Sequence, residues 1–254
     1  MSRREWREGR DDERRTKNRL LLKIMADITT HWATPILRRS LENASAVNSV
    51  LVDLFYAHRK ADLEARGAKI ANLYSSGDDL LERYDDPSLK ELFAFISESV
   101  FEIASSVNAP IWQSIGASSL QMHIVGAWFQ IQNRYGFHDI HNHGNCSWSG
   151  VYYVQIDPLE RRQDHATLGA LNGITRFYGH QLALLGGAHM DLGNAYLQQA
   201  HTDVQPRAGD LIVFPSWLNH KAMPYDGDKD RIIISFNAQV HGAKGNKAFD
   251  YGFH

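Results

Sequence analysis

From about residue 120 onward the chain reads as short strands in succession, with no convincing helix between them. This order constrains the fold more than any other feature. Gln121 to Ile131, Ser147 to Ile156, Ile174 to Tyr178, Leu211 to Phe214 and Arg231 to Val240 are rich in β-branched and aromatic residues. Clusters of Gly, Asp, Asn and Pro separate them. Neighbouring parallel strands need long crossovers, usually helical, and none is visible here. The pattern predicts an antiparallel sandwich or barrel. The front of the chain reads as helical, which makes the fold class α+β. Val47, Val50, Leu51, Leu54 and Phe55 form one apolar stripe at helical spacing. A second helix starts with Asp86 as N-cap and Pro87 at its first position. It buries Leu89, Leu92, Phe93, Ile96 and Val100, and Asn108-Ala109-Pro110 is expected to stop it. An earlier helix is expected from about Arg14 to about Ile28, and Leu182 to Gln199 reads as a long loop or lid. The expected organisation is a charged, frayed start over 1–20 and one domain over 21–254. Within that domain a helical front spans 21–110 and a barrel runs from about 120 to 254.

Composition narrows the function classes. Of 254 residues, 27 are Lys or Arg and 29 are Asp or Glu, a formal charge of −2. A dedicated nucleic-acid binder needs a basic excess to meet phosphates, so that class is set aside. No apolar run approaches the roughly 18 residues of a membrane span. Met1 to Arg19 lacks the apolar stretch of a secretory signal. Cys146 is the only cysteine, which rules out an intrachain disulfide and a multi-thiolate zinc site. A reducing, cytoplasmic location is the simplest expectation.

The 13 histidines are unevenly spread: all but His31 and His58 lie at or beyond His123. His141 and His143 precede the strand-like Ser149 to Val154, and His220 follows the strand Leu211 to Phe214. In an extended segment residues two apart point the same way, so His141 and His143 can face one metal, with His220 as third ligand. Three ligands on one side leave positions open for substrate and oxygen, as in non-haem iron oxygenases. Arg231, Ser235 and Asn237 share a face of the last strand and make a receptor for a carboxylate, which a guanidinium grips with two parallel hydrogen bonds. The plainer reading of Arg231 is a surface ion pair with Asp228 or Asp230. Trp128, Gln130 and Gln132 share a face on an earlier strand, either as cavity contacts or as ordinary barrel filling. Tyr152 and Tyr153 point to opposite faces. Trp217 reads as packing, and Cys146 as a small buried residue.

His-x-His before Ser-Gly-Val-Tyr-Tyr (149–153), then Phe-Pro-Ser-Trp-Leu-x-His (214–220), then Arg-Ile-x-Ile-Ser-Phe-Asn (231–237), resembles the iron(II)/2-oxoglutarate oxygenases of bacterial and phage type. Thr34-Pro35-Ile36 loosely resembles that family's opening region, so the likeness runs from about residue 30. The resemblance implies a double-stranded β-helix, a cupin-like jelly roll with helices packed outside. It also implies Fe(II), 2-oxoglutarate as co-substrate, and O2. His141 and His220 fall on metal-ligand positions, and Arg231 on the position that binds the distal carboxylate of 2-oxoglutarate. The implied reaction is hydroxylation of an unactivated C–H in a small-molecule or peptide-like substrate, with release of succinate and CO2.

The sequence departs from the family at one ligand. The widespread set has Asp or Glu two residues after the first histidine, where this chain has His143. A three-histidine site of the cupin kind remains possible there, and Asp139 could supply a carboxylate only through a sharp backbone turn. A cupin-like dioxygenase or isomerase that uses no 2-oxoglutarate is therefore an alternative. Gly209, Pro215 and His220 match the spacing of the second cupin motif, with Trp217 in place of its second glycine. A catalytically silent ligand-binding barrel is a third reading.

Overall fold

The computed structural model describes residues 33–115, 120–179 and 200–242. The charged start, the helix expected from Arg14 to Ile28 and the segment Leu182 to Gln199 lie outside these residues. A six-stranded sheet runs in the order β1 (Leu37–Ser40), β8 (Asp210–Pro215), β5 (Trp148–Gln155), β10 (Arg231–His241), β3 (Gln121–Gln132), β2 (Leu73–Ser75). A four-stranded sheet runs β4 (Gly136–His141), β9 (His220–Tyr225), β6 (Thr175–Tyr178), β7 (His201–Val204). Every ladder between these strands is antiparallel. The fold is the double-stranded β-helix, with helices covering the outer face of the larger sheet.

Strand alternation divides the core in two. On β10, Ile232, Ile234, Phe236 and Ala238 join a cluster with the helices, while Ile233 joins a second cluster with Val151, Tyr153, Phe177, Ile212 and Phe214. Adjacent Tyr152 and Tyr153 separate in the same way. Tyr152 donates to Asn48 on the outer helix at 2.8 Å, and Tyr153 lies 2.5 Å from Thr175 Oγ1 inside. The period of two read from the sequence thus decides which side chains can reach the barrel interior.

Helix α1 (Ala44–Arg66) buries Val47, Leu51 and Phe55, and Phe55 stacks on Phe129 of β3 at 4.1 Å. It ends at Gly67, whose φ of 61° is the left-handed conformation that suits glycine. After the short helix α2 (Leu80–Arg83), α3 (Pro87–Ile115) begins as the sequence predicts. Asp86 Oδ1 accepts from Ser88 N at 2.8 Å and Leu89 N at 3.3 Å. Its end differs: α3 passes through Pro110 and continues to Ile115. Trp112, 9% exposed, packs on Phe101 at 5.8 Å and belongs to the core. That burial outweighs the hydrogen bond a proline cannot make. No helix among the described residues is long and apolar enough to cross a membrane.

Candidate metal centre and co-substrate pocket

The three sequence-predicted ligands meet at the edge of the smaller sheet. His141 ends β4, His143 lies two residues into the following loop, and His220 opens β9 opposite His141. One nitrogen from each lies within 4.8 Å of the other two. His143 is held by its backbone N–H on Ser216 O at 2.9 Å, and Asn142 donates to Asn219 at 2.9 Å across the same two loops. The motif around His220 therefore carries one candidate ligand and also pins the loop that carries another.

Hydrogen bonds to the backbone fix two of the ring tautomers. His141 Nδ1 donates to Asp139 O at 2.6 Å, and His220 Nδ1 donates to Leu218 O at 2.9 Å. Each ring then carries its lone pair on Nε2, facing the cluster, as a ligand must. Burial pushes His220 down to about 3 and His143 down to about 4, with the neighbouring imidazoles adding to the depression. Both are neutral near pH 7, the ligating form. His143 Nε2 lies 3.4 Å from His220 Nε2, close enough for both to address one ion. Asp139 turns away and pairs with Lys221 at 3.1 Å, so it supplies no carboxylate to the cluster. Among the described residues the donor set is imidazole alone, which suits a divalent first-row metal such as Fe(II).

Deeper in the same pocket lies Arg231, 1% exposed. It donates to Gln132 Oε1 and, at 3.5 Å, to Thr175 Oγ1, and its guanidinium sits 5.3 Å from the Tyr153 ring centroid. It forms no ion pair with the described residues. The acids considered from sequence are engaged elsewhere: Asp228 binds Arg161 at 2.8 Å and Asp230 binds Arg59 at 3.2 Å. Arg231 Nε and Gln132 Nε2 are buried without a hydrogen-bond partner among the described residues. A buried cation with an orphaned donor is costly unless an anion meets it. The pocket is lined by His138, His141, His143, His220, Arg231 and Ser235 together with Trp128, Gln130, Val151 and Ile233.

Not every expectation survives in detail. Ser235 lines the pocket, but Asn237 does not; it accepts from Ser149 Oγ at 2.8 Å. Trp217 is 53% exposed, because its neighbours Ser216 and Leu218 take the inward positions of the β8–β9 turn. Cys146 is half-buried, with Sγ 3.7 Å from Ser149 Oγ. Two residues have roles at the pocket that the sequence does not specify. Gln132 is the direct partner of Arg231, although the sequence shows it only as one of three same-face residues on β3. His138 lines the pocket because the β4–β9 ladder shifts register between Gly136 and His138 and again between His138 and His141. An unshifted strand would send residues three apart to opposite faces.

Residues 126–237 match the family model described as "Putative 2OG-Fe(II) oxygenase"; the helical front and Thr34-Pro35-Ile36 fall outside that match. No curated protein matches the chain. Among solved structures, the non-heme alpha ketoglutarate dependent carbocyclase SnoK from nogalamycin biosynthesis is similar in fold. Its TM-score is 0.50 at 14% identity, over 83% of this chain and 83% of that one. A Pseudomonas putida prolyl-4-hydroxylase aligns over 82% of this chain and 94% of that one, at 12% identity and TM-score 0.46. HygX from Streptomyces hygroscopicus aligns over 84% of each, at 12% identity and TM-score 0.46. Residues 126–237, which hold the three histidines and Arg231, thus match the model of the 2OG-Fe(II) oxygenases, a family whose metal is Fe(II) and whose co-substrate is 2-oxoglutarate.

Proposed function

We propose that this chain hydroxylates an unactivated C–H bond of a small-molecule or peptide-like substrate, converting 2-oxoglutarate and O2 to succinate and CO2. One observation carries the reading: a buried guanidinium with no acidic partner among the described residues shares a pocket with three converging imidazoles. His141, His143 and His220 would hold the metal, and Arg231 would receive the distal carboxylate of the co-substrate. When bound, Fe(II) supplies the activation of O2 that is coupled to decarboxylation of 2-oxoglutarate.

The chain's own residues position and shield. Asp139 O and Leu218 O hold two imidazoles in the ligating tautomer. Gln132, Thr175 and the Tyr153 ring fix the guanidinium without neutralising it. Its charge therefore stays available for a carboxylate, and its donors outnumber these neutral acceptors. Ser235 adds a hydroxyl on the same face. Trp128, Val151 and Ile233 present apolar surface that excludes water and strengthens the electrostatics inside. Three neutral ligands leave the full charge of a divalent ion to be met by the co-substrate dianion, so charge balance joins the two halves of the site.

The imidazole-only donor set favours a second reading, a three-histidine dioxygenase that uses no 2-oxoglutarate. The test is succinate formation by the Fe(II)-loaded protein with 2-oxoglutarate and O2, first without and then with a panel of candidate substrates. The first reading expects succinate that requires both iron and 2-oxoglutarate and disappears in Arg231→Ala. Oxygen consumption with a substrate but without 2-oxoglutarate favours the second and overturns the first.

A further inference from the structure

Gln130 is a buried amide with no partner to hold it. It is 6% exposed, lies on the pocket wall, and makes no side-chain hydrogen bond among the described residues. A carboxamide carries two donors and an acceptor, and leaving them unmet in an interior is costly where a leucine of similar size would be content. The other face of the same strand shows that ordinary solution: Phe129 and Ile131 fill the core beneath the helices. Gln130 also lies outside the three motifs, 141–153, 214–220 and 231–237, that carry the family likeness.

Its place along β3 decides what it meets. Gln132, two residues further on, opposes Arg231 in register and accepts from its guanidinium. Trp128, two residues back, has its ring 5.8 Å from that of His143. Residues two apart share a face and stand about 7 Å from one another. Gln130 therefore sits between the level of the guanidinium and the level of the imidazoles. Ile233, its register partner on β10, lines the same wall and offers no polar group. A dicarboxylate reaching from Arg231 toward the histidines runs past the Gln130 amide.

We propose that Gln130 is a specificity-determining residue for the co-substrate: its side-chain N–H donates to the 2-oxo acid end of 2-oxoglutarate, while Arg231 takes the distal carboxylate. The inference rests on the function proposed above. Gln130 reads the end that every 2-oxo acid shares, and Arg231 reads the second charge, so different ligands separate the two contacts. Stability and binding should also part. Gln130→Leu removes an unmet polar group from the free protein and leaves the fold as stable or more so. The same change takes a hydrogen bond from a bound carboxylate, which is worth about 10- to 100-fold in affinity.

The experiment uses the full chain loaded with Co(II), without oxygen, as wild type, Gln130→Leu and Arg231→Met. Two ligands are titrated and followed by the visible absorption of Co(II): 2-oxoglutarate, and 2-oxobutanoate, which keeps the 2-oxo acid end but has no distal carboxylate. Urea unfolding gives the stability of each variant. The proposal expects Gln130→Leu to bind both ligands about 10- to 100-fold more weakly, with its unfolding midpoint unchanged or raised. Arg231→Met should weaken 2-oxoglutarate and spare 2-oxobutanoate. Wild-type affinity for both ligands in Gln130→Leu overturns the proposal. A loss there that spares 2-oxobutanoate puts Gln130 at the distal end and overturns it as well. A lowered midpoint, or failure to fold, makes the amide a structural element and has the same consequence. Wild type that takes up Co(II) but no 2-oxoglutarate overturns the function proposed above. Binding of 2-oxoglutarate that needs Arg231 but ignores Gln130 overturns this inference alone.

Discussion

Replacing Arg231 separates a co-substrate receptor from a structural arginine, because the two roles predict opposite patterns. The side chain is 1% exposed and, among the described residues, meets only neutral groups: Gln132, Thr175 and the ring of Tyr153. A carboxylate arriving there forms charge-assisted hydrogen bonds with donors that Gln132 and Thr175 leave free, Nε among them. Truncating one partner of such a buried pair costs about 2–5 kcal/mol, which is roughly 30-fold to several thousand-fold in Kd. The assay is calorimetric titration of Co(II)-loaded protein with 2-oxoglutarate, without oxygen, for wild type, Arg231→Ala and Arg231→Met. Metal affinity should be unchanged in both variants. The fold should be nearly indifferent to Arg231→Met without ligand. Removing an uncompensated buried charge relieves desolvation, while Gln132 loses a partner; the two offset to within about 2 kcal/mol. A structural ion pair would instead cost about 3–5 kcal/mol of stability on truncation. A 2-oxoglutarate Kd within about 3-fold of wild type, a difference under 1 kcal/mol, refutes the reasoning.

The framework makes further predictions. Gly150→Ala should lose about 1–3 kcal/mol in urea unfolding, since an added Cβ would run into the Phe236 ring and stand 2.7 Å from Ile212 O; an unchanged midpoint would show that β5 can part freely from β8 and β10. Asp86→Ala removes the cap on Ser88 N and Leu89 N and should cost about 1 kcal/mol by the same assay. Pro110→Ala restores a backbone donor inside α3 and should stabilise the protein by up to about 3 kcal/mol. A loss of stability there would mean that the proline fits a helix shape the alanine variant cannot adopt.

Long strands with strict alternation were legible in the sequence. β3, β5 and β10 differ from their sequence-read bounds by a residue or two, and Tyr152 and Tyr153 part as the period of two requires. Three candidate ligands and Arg231 could be located because each stands on or close to a strand read from the sequence. Strands whose signals lie outside their own residues were not legible. β4 follows a tight turn in which Arg134 and Tyr135 both take positive φ, 51° and 64°. Turns of that kind ordinarily announce themselves with Asn-Gly or Asp-Gly, and this one does not. β9 carries Pro224, which argues against a strand on sequence alone, and its carbonyl instead accepts from Gly173 N at 2.9 Å. His138 was hidden for a third reason: register shifts are set by the partner strand, so no local pattern shows that residues three apart will face one cavity. The end of α3 is not legible locally, because Trp112 finds burial beyond a proline, a tertiary gain that local propensity does not contain.

The central claim is that three histidines and one arginine form a single site for Fe(II) and 2-oxoglutarate. Anaerobic titration of metal-free protein with Fe(II) and then 2-oxoglutarate tests it most directly, read by the visible charge-transfer absorption of the chelate. The account predicts that the band appears only with both components, is lost in His220→Ala, and in Arg231→Ala needs far higher 2-oxoglutarate. Iron binding with no band at any 2-oxoglutarate concentration would contradict the account and leave a three-histidine metal protein that does not use this co-substrate.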